Sequence, residues 1–124
     1  MITADQLRIG NWVKHKSPVF GKIDHIRIEA QDFKLIIDEN HGNDYDPIPL
    51  TPGILEKARF DGDDSMNDYW LHDNKNDIHL RIAFHIHDGV LEYNGLRLFE
   101  FVPPLHQLQN LYFALTGEEL VINL

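Results

Sequence analysis

Two dipeptides, Asp88-Gly89 and Asn94-Gly95, constrain the fold of this chain more than any other feature of its sequence. Each accepts the positive φ angles of a two-residue hairpin loop, so each predicts a tight turn between antiparallel strands. The two turns divide residues 78–101 into three strands. The sequence therefore predicts an antiparallel meander in this part of the chain.

The predicted turns also determine which side chains lie opposite each other. Across the second turn Glu92 is expected opposite Arg97, and across the first turn His85 is expected opposite Glu92 and Ile86 opposite Leu91. Successive strand residues alternate between the two faces of a sheet. One face is then expected to carry eight apolar side chains: Leu80, Ile82, Phe84, Ile86, Leu91, Tyr93, Leu96 and Leu98.

The first fifty residues contain several short β-rich runs separated by turn signals. Gly10-Asn11 predicts a bend before a strand that begins at Trp12, and Ser17-Pro18 predicts the end of that strand. Residues 21–29 and 33–37 predict two further strands. Short strands at this spacing are typical of an SH3-like small β-barrel or of a twisted meander.

Two helices are predicted in the rest of the chain. Thr51-Pro52 supplies an N-cap and a first-turn proline, so a short helix is expected to begin there and to end near Phe60. The segment Leu105–Thr116 is the strongest helical pattern, with Gly117 as its C-terminal cap. Its apolar stripe, which is expected to cover the meander, consists of Leu105, Leu108, Leu111, Tyr112 and Leu115.

These elements predict an α+β fold. Residues 1–50 are expected to form the SH3-like β subdomain, and residues 51–124 an α+β subdomain with a three- to four-stranded antiparallel meander; a single compact domain is the alternative. Residues 61–64 predict an acidic loop that lacks the glycine and glutamate of a calcium loop. Residues 120–124 are expected to return as a short edge strand.

The composition excludes several classes of protein. There is no cysteine, which removes disulfides and thiol chemistry. The first residues lack the pattern of a signal peptide, and no apolar run approaches the ~20 residues of a membrane span, so a cytoplasmic protein without membrane contact is expected. The net charge of −9 argues against general nucleic-acid binding.

The charge is nevertheless unevenly distributed along the chain. Basic residues concentrate in the first 27 residues, among them Lys14, Lys16, Lys22 and Arg27. This cluster supports an alternative hypothesis, in which the protein is a nucleic-acid-associated regulator that binds through its N-terminal β region. A related alternative is an acidic decoy that imitates DNA and inhibits a DNA-binding protein.

The pair His85 and His87 provides a second alternative. With Glu92 placed opposite His85, two imidazoles and a carboxylate could form a facial metal triad. The competing interpretation is a solvated sheet face that carries a cross-strand pair between Glu92 and Arg97. No motif for a nucleophile, a phosphate loop or a cofactor is present, so neither an enzyme nor a cofactor is expected.

The predicted C-terminal helix has a polar side opposite its leucines. His106, Gln109, Asn110 and Phe113 are expected there, either as a surface for a protein partner or as a second packing face against the N-terminal β region. A helix that has an apolar core face and a second face for contacts favours a small protein that acts by binding other proteins.

The run from His106 to Leu120, with sequence HQLQNLYFALTGEEL, resembles the C-terminal signature of an uncharacterised family of small proteins. That family is found in bacteriophage and mobile-element genes of gut anaerobes. Residues 7–11 and 47–51 are similar to its other two landmarks and occur in the same order. The resemblance implies a genomic context and a fold but no chemistry. The missing catalytic motifs, the acidic surface and the two-sided C-terminal helix support the leading hypothesis, a non-enzymatic accessory module that binds another protein, and the resemblance implies its phage or mobile-element origin.

Overall fold

The computed structural model describes residues 2–39, 41–86 and 88–124, and the fold is α+β. The chain forms two compact units. The first consists of Met1–Pro49 with Pro104–Leu111, and the second of Leu50–Pro103 with Tyr112–Leu124. The sequence analysis placed the C-terminal helix entirely in the second half of the chain, whereas the structure divides this helix between the two units.

The first unit is built on an antiparallel sheet with the strand order β2-β1-β3. Its strands are β1 (Trp12–Lys16), β2 (Ile23–Arg27) and β3 (Tyr45–Asp46), with short 3-10 turns at Ala4–Gln6 and Gly42–Asp44. Within the described part of the chain these strands form an open sheet and not a closed barrel. The meander alternative of the sequence prediction is therefore the correct one.

The strand predicted at residues 33–37 is wrong, because this segment belongs to helix α1 (Ala30–Ile37). The Glu29 N–H donates to Asp32 Oδ2 at 2.8 Å, so these two residues cap the first turn. Phe33 and Ile36 then lie three residues apart on the helix side that packs into the unit. A short apolar run does not distinguish a strand from a buried helix turn.

The core of the first unit contains five buried side chains: Ile2, Val13, Ile28, Ile36 and Tyr45. Its one hydroxyl is satisfied, since Tyr45 Oη donates to Asp32 Oδ1 at 2.8 Å. Burial and this hydrogen bond raise the pKa of Tyr45 above its ordinary value. The core therefore holds the base of the β1–β2 hairpin against α1.

The second unit contains a five-stranded antiparallel sheet in the order β4-β5-β6-β7-β8. Its strands are β4 (Asp61–Asp63), β5 (Asp68–Asp73), β6 (Ile78–Ala83), β7 (Val90–Tyr93) and β8 (Leu96–Phe99). Helix α2 (Pro52–Lys57) precedes the sheet, and Thr51 Oγ1 accepts from the Ile54 N–H at 3.3 Å, as the N-cap prediction requires. The acidic loop predicted at residues 61–64 contains β4, an additional edge strand.

The Asn94-Gly95 turn is confirmed, with φ angles of 47° and 86° and with Tyr93 opposite Leu96 and Glu92 opposite Arg97. The Asp88-Gly89 turn does not form the predicted two-residue hairpin, because the last pair of β6 and β7 is Ala83 with Val90, so the connection between these strands is longer than two residues. Ile82, not Ile86, therefore lies opposite Leu91.

Gly89 lies at the end of this longer connection and packs closely against Val102. Its φ is +89°, and a Cβ there would lie 2.2 Å from Val102 Cγ2, so this glycine permits close packing of the connection against the chain after β8. The pairing of β6 with β7 is shifted from the predicted one by four residues. Because four is even, Leu80, Ile82, Leu91 and Tyr93 keep the shared face that the sequence predicted.

On strand β8, Leu96 stays on that face opposite Tyr93, but the register changes beyond Arg97. A bulge between Leu91 and Glu92 moves the pairing so that Leu91 lies opposite Phe99, not Leu98. Leu96 is 66% exposed and Leu98 is 42% exposed, so the prediction that both leucines are covered is wrong. The edge position of β8 explains their exposure.

Helix α3 (Leu105–Thr116) has the predicted bounds, and the Gly117 N–H donates to the Phe113 carbonyl at 2.8 Å at its C-terminal end. Its fully buried residues are Leu105, His106, Leu108 and Gln109, whereas Leu111 and Leu115 are half-buried. Residues 120–124 do not form the predicted edge strand, although Leu120 and Ile122 are buried. No helix in residues 2–39, 41–86 or 88–124 is long and apolar enough to cross a membrane.

Candidate functional site

The pairing on which the predicted metal triad depended is wrong. Arg81, not His85, lies opposite Glu92, and Arg81 Nη1 donates to Glu92 Oε1 at 3.1 Å. His85 is exposed in the connection after β6, and His87 lies outside the described residues. Among the residues that the structure describes, no group of three or more histidine, cysteine or acidic side chains could hold a metal ion.

Arg81 instead organises the polar face of the five-stranded sheet. Its Nε donates to Asp68 Oδ1 at 3.0 Å and its Nη2 donates to Asp68 Oδ2 at 2.9 Å. With the bond to Glu92, the guanidinium is therefore bound by two carboxylates. These partners raise the pKa of Arg81 above its ordinary value. One row of directly opposed residues crosses all five strands: Asp61, Trp70, Arg81, Glu92 and Arg97. The row agrees with the solvated-face interpretation.

The sequence analysis missed a pair of imidazoles on the same sheet. His72 on β5 lies opposite His79 on β6, with ring centroids 4.0 Å apart. The β5–β6 turn, at Asp73-Asn74-Lys75-Asn76, could have indicated this pairing. Two rings in contact, without a third ligand in the described residues, provide aromatic packing and not a metal centre.

Two of the four residues predicted to face a partner are buried inside the first unit. Gln109 is 2% exposed; its Oε1 accepts from the Trp12 N–H at 2.8 Å and its Nε2 donates to the Gly10 carbonyl at 3.3 Å. His106 is also 2% exposed. The expectation of a partner surface is wrong for these two residues, and the alternative, packing against the N-terminal β region, is correct for Gln109.

The other two residues differ from each other. Asn110 is half-buried, accepts from Asn11 Nδ2 at 2.8 Å and donates to the Gln6 carbonyl at 3.1 Å, so it extends the same polar contact. Phe113 is 38% exposed. His106 differs again, because neither of its ring nitrogens has a hydrogen-bond partner among the residues that the structure describes, and burial lowers the pKa of its imidazole.

The β1–β2 hairpin brings together the cations that the sequence singled out. Its register places Lys14 opposite His25 and Lys16 opposite Ile23, while Arg27 lies opposite Trp12 with its guanidinium 5.7 Å from the indole ring. We call this outward-facing set the hairpin surface; it comprises Lys14, Lys16, Ile23, His25 and Arg27. Three of the four predicted cations therefore share one face of the hairpin.

The fourth predicted cation, Lys22, lies beside the hairpin tip. It is 74% exposed in its side chain and approaches Asp24 at 3.8 Å. The tip is a defined turn, since the Ser17 N–H donates to the Lys22 carbonyl at 2.9 Å and the Gly21 N–H donates to the Ser17 carbonyl at 2.8 Å. This turn presents Val19, 80% exposed, and Phe20, 85% exposed, to solvent.

The second exposed apolar region lies along β8. Leu96 and Leu98 are accompanied by Phe101, which is 48% exposed, and the ring of Phe101 lies 5.3 Å from that of Phe99. We call these four residues the β8 edge. Because β8 is the last strand of its sheet, the backbone along its outer side pairs with no other strand of the described residues.

A cleft of about 350 Å³ lies between α2 and β4. Phe60 and Tyr69 line it together with Glu56, Asp61 and Asp64. Tyr69 Oη donates to Asp64 Oδ1 at 2.6 Å, and this hydrogen bond is the main cause that raises the pKa of Tyr69 to about 12. The Asp64 carboxylate is thus engaged by a tyrosine of its own unit.

No protein-family model, no curated protein and no solved structure matches this chain. The candidate binding surfaces of this protein are therefore those that its own geometry presents: the hairpin surface with its tip, and the β8 edge.

Proposed function

We propose that this protein is a non-enzymatic accessory module that binds another protein through its β8 edge. The observation that carries the proposal is the coincidence of an outer strand with large exposed apolar side chains. Leu96, Leu98 and Phe101 are between 42% and 66% exposed, and they lie on or just after an edge strand. Such an edge is a template for the addition of a strand from a partner.

The opposite edge of the same sheet supports this choice. Strand β4 carries the exposed carboxylates Asp61 and Asp63, and like charge at an edge discourages the approach of another strand. Strand β8 carries no carboxylate and a single charge at Arg97, so this like-charge repulsion is weaker there even though β8 contains a bulge. The β8 edge is therefore the more accessible edge of the sheet.

The geometry also supports a particular kind of partner. The Asn94-Gly95 turn and Pro103 limit the available segment, so an extended stretch of about five residues would fit. Backbone groups of this stretch would pair with β8, and its apolar side chains would cover the leucines and Phe101. A partner segment with alternating apolar residues meets both requirements.

The two serines of the chain support a role without nucleophilic catalysis. Ser17 Oγ accepts from the Phe20 N–H at 3.3 Å, and Ser65 Oγ donates to Asp63 Oδ1 at 2.6 Å. Both hydroxyls thus stabilise turns. The phage or mobile-element origin implied by the resemblance remains part of the proposal.

Affinity capture with purified variants tests the proposal. The wild-type protein should retain a stoichiometric protein from a lysate of cells that carry its gene, and Leu96→Ser/Leu98→Ser should retain at least about tenfold less. The matched control is Ile9→Ser/Val121→Ser, which removes two residues exposed by 59% and 56% elsewhere. In the complex, hydrogen exchange should slow at the amides of residues 96–99.

Three results would count against the proposal. Equal capture by the β8 variant and the control variant would exclude the β8 edge as the binding surface. A dimer of the free protein that the β8 substitutions dissociate would identify a second copy as the occupant. Turnover of a substrate in a broad hydrolase and transferase screen would exclude the non-enzymatic role.

A further inference from the structure

We propose that the β1–β2 hairpin binds nucleic acid, with the phosphate backbone along the hairpin surface and an unpaired base stacked on Phe20. This function is separate from the proposed protein binding at the β8 edge, because the two surfaces belong to different units. The hairpin differs from the rest of the chain in its charge. Residues 12–27 contain four lysine or arginine residues and one acidic residue, whereas the rest of the chain contains 19 acidic and 7 basic residues.

The antiparallel register converts this local excess into a line of cations. Lys14 and Lys16 are separated by one strand residue, so they project from the same face about 7 Å apart. His25 and Arg27 repeat the same spacing on β2, directly opposite Lys14 and Trp12. Asp46 on β3, opposite Lys14, is the acidic residue in register with this line.

The hairpin tip provides a second feature of nucleic-acid sites, an exposed aromatic ring. Phe20 is 85% exposed and follows Pro18 and Val19 in a turn fixed by three hydrogen bonds to Ser17 and Lys22. An aromatic ring held in this way offers a platform on which a base can stack, while the adjacent lysines attract phosphates. Cationic strands with apolar residues at the tip occur in proteins that bind nucleic acids by backbone contacts.

Nucleic acid fits this surface better than an acidic protein does. A polyphosphate chain offers regularly repeated charges that match a line of side chains on two strands, whereas acidic residues on a folded protein rarely do so. A flat base also gives the exposed ring a partner that a carboxylate surface lacks. The strongly acidic remainder of the chain would restrict binding to the hairpin.

Fluorescence anisotropy with a labelled oligothymidylate tests the proposal. Between about 50 and about 200 mM salt, log K should fall with log salt with a slope of about −2, because each of three phosphate contacts, at Lys14, Lys16 and Arg27, contributes about −0.7. Lys14→Gln/Lys16→Gln should reduce the magnitude of the slope by about 1.4. The matched control, Lys34→Gln/Lys57→Gln, removes two exposed lysines outside the hairpin and should leave the slope unchanged.

Phe20→Ser tests the stacking contact separately. It should weaken binding at least about fivefold with little change of the salt slope, because a stacked base contributes affinity without displacing counterions. Phe113→Ser, at a ring outside the hairpin, is the control. Thermal unfolding midpoints close to wild type would show that each hairpin variant is folded.

The other outcomes would overturn the proposal in whole or in part. No anisotropy change at low salt with single-stranded or duplex probes would exclude nucleic acid. A duplex that binds as tightly as the single strand, with Phe20→Ser unchanged, would retain the phosphate contacts and exclude stacking. Polyglutamate that binds as tightly as the oligonucleotide would assign the surface to an acidic protein instead.

Discussion

The exchange of Gln109 for methionine tests how the first unit is held together. Methionine has a similar volume but cannot replace the two side-chain hydrogen bonds to the Trp12 N–H and the Gly10 carbonyl. The Trp12 N–H lies in a buried residue, so its loss of a partner should cost about 1–3 kcal/mol, and the longer bond to Gly10 adds about 0.5–1 kcal/mol. Burial of an apolar side chain offsets part of this cost. A net loss of about 2 kcal/mol is expected.

Urea unfolding, followed by tryptophan fluorescence, measures this loss. A change of 2 kcal/mol corresponds to about a 30-fold shift of the folding equilibrium and to a decrease of Tm by several degrees. Gln107→Met is the matched control, because Gln107 lies on the same helix and is half-buried; its loss should stay below about 0.5 kcal/mol. Equal stabilities of the two variants would refute the claim that Gln109 anchors the hairpin base.

Three further predictions address packing and ionisation. Leu108→Ala should destabilise the protein by about 2–5 kcal/mol and Leu111→Ala by clearly less, because Leu108 is fully buried and Leu111 is half-buried. A larger loss of stability for Leu111→Ala in the same urea assay would contradict this order. Burial lowers the pKa of His106, so the unfolded chain binds more protons and the stability of the protein should fall as the pH drops below about 6.5. In unfolding curves recorded from neutral to mildly acidic pH, His106→Leu should flatten this dependence, and an unchanged dependence would refute the prediction. Ultraviolet titration should show that Tyr69 ionises near pH 12 and that Asp64→Ala lowers the pKa of Tyr69 towards 10. An equal pKa of Tyr69 in both proteins would exclude the Asp64 hydrogen bond as the cause of the raised pKa.

Local signals predicted the elements that depend on local chemistry. Thr51-Pro52 predicted the start of α2, Leu105–Thr116 predicted α3 with its glycine cap, and Asn94-Gly95 predicted the β7–β8 register. In each case the atoms that form the structure belong to residues a few positions apart. Such contacts are encoded in a short window of sequence.

The errors arose where a distant part of the chain decided the outcome. The pairing of β6 with β7 ends at Ala83 and Val90, which puts Arg81 opposite Glu92 in the place predicted for His85, and Gly89 packs against Val102 in the connection between these strands. Residues 33–37 formed a helix because the side chains of Phe33 and Ile36 contact the core of the first unit. Neither contact could be derived from periodicity in a short apolar run.

The candidate surfaces show the same division. The sequence alone determined that cations concentrate near the N-terminus and that apolar residues alternate along β6 and β7, because composition and spacing are properties of the chain itself. Only the tertiary structure decided that Lys14, Lys16 and Arg27 share a face, that Gln109 is buried and that β8 lies at a sheet edge. Pairing and burial depend on segments far apart in the sequence, and only folding brings those segments together.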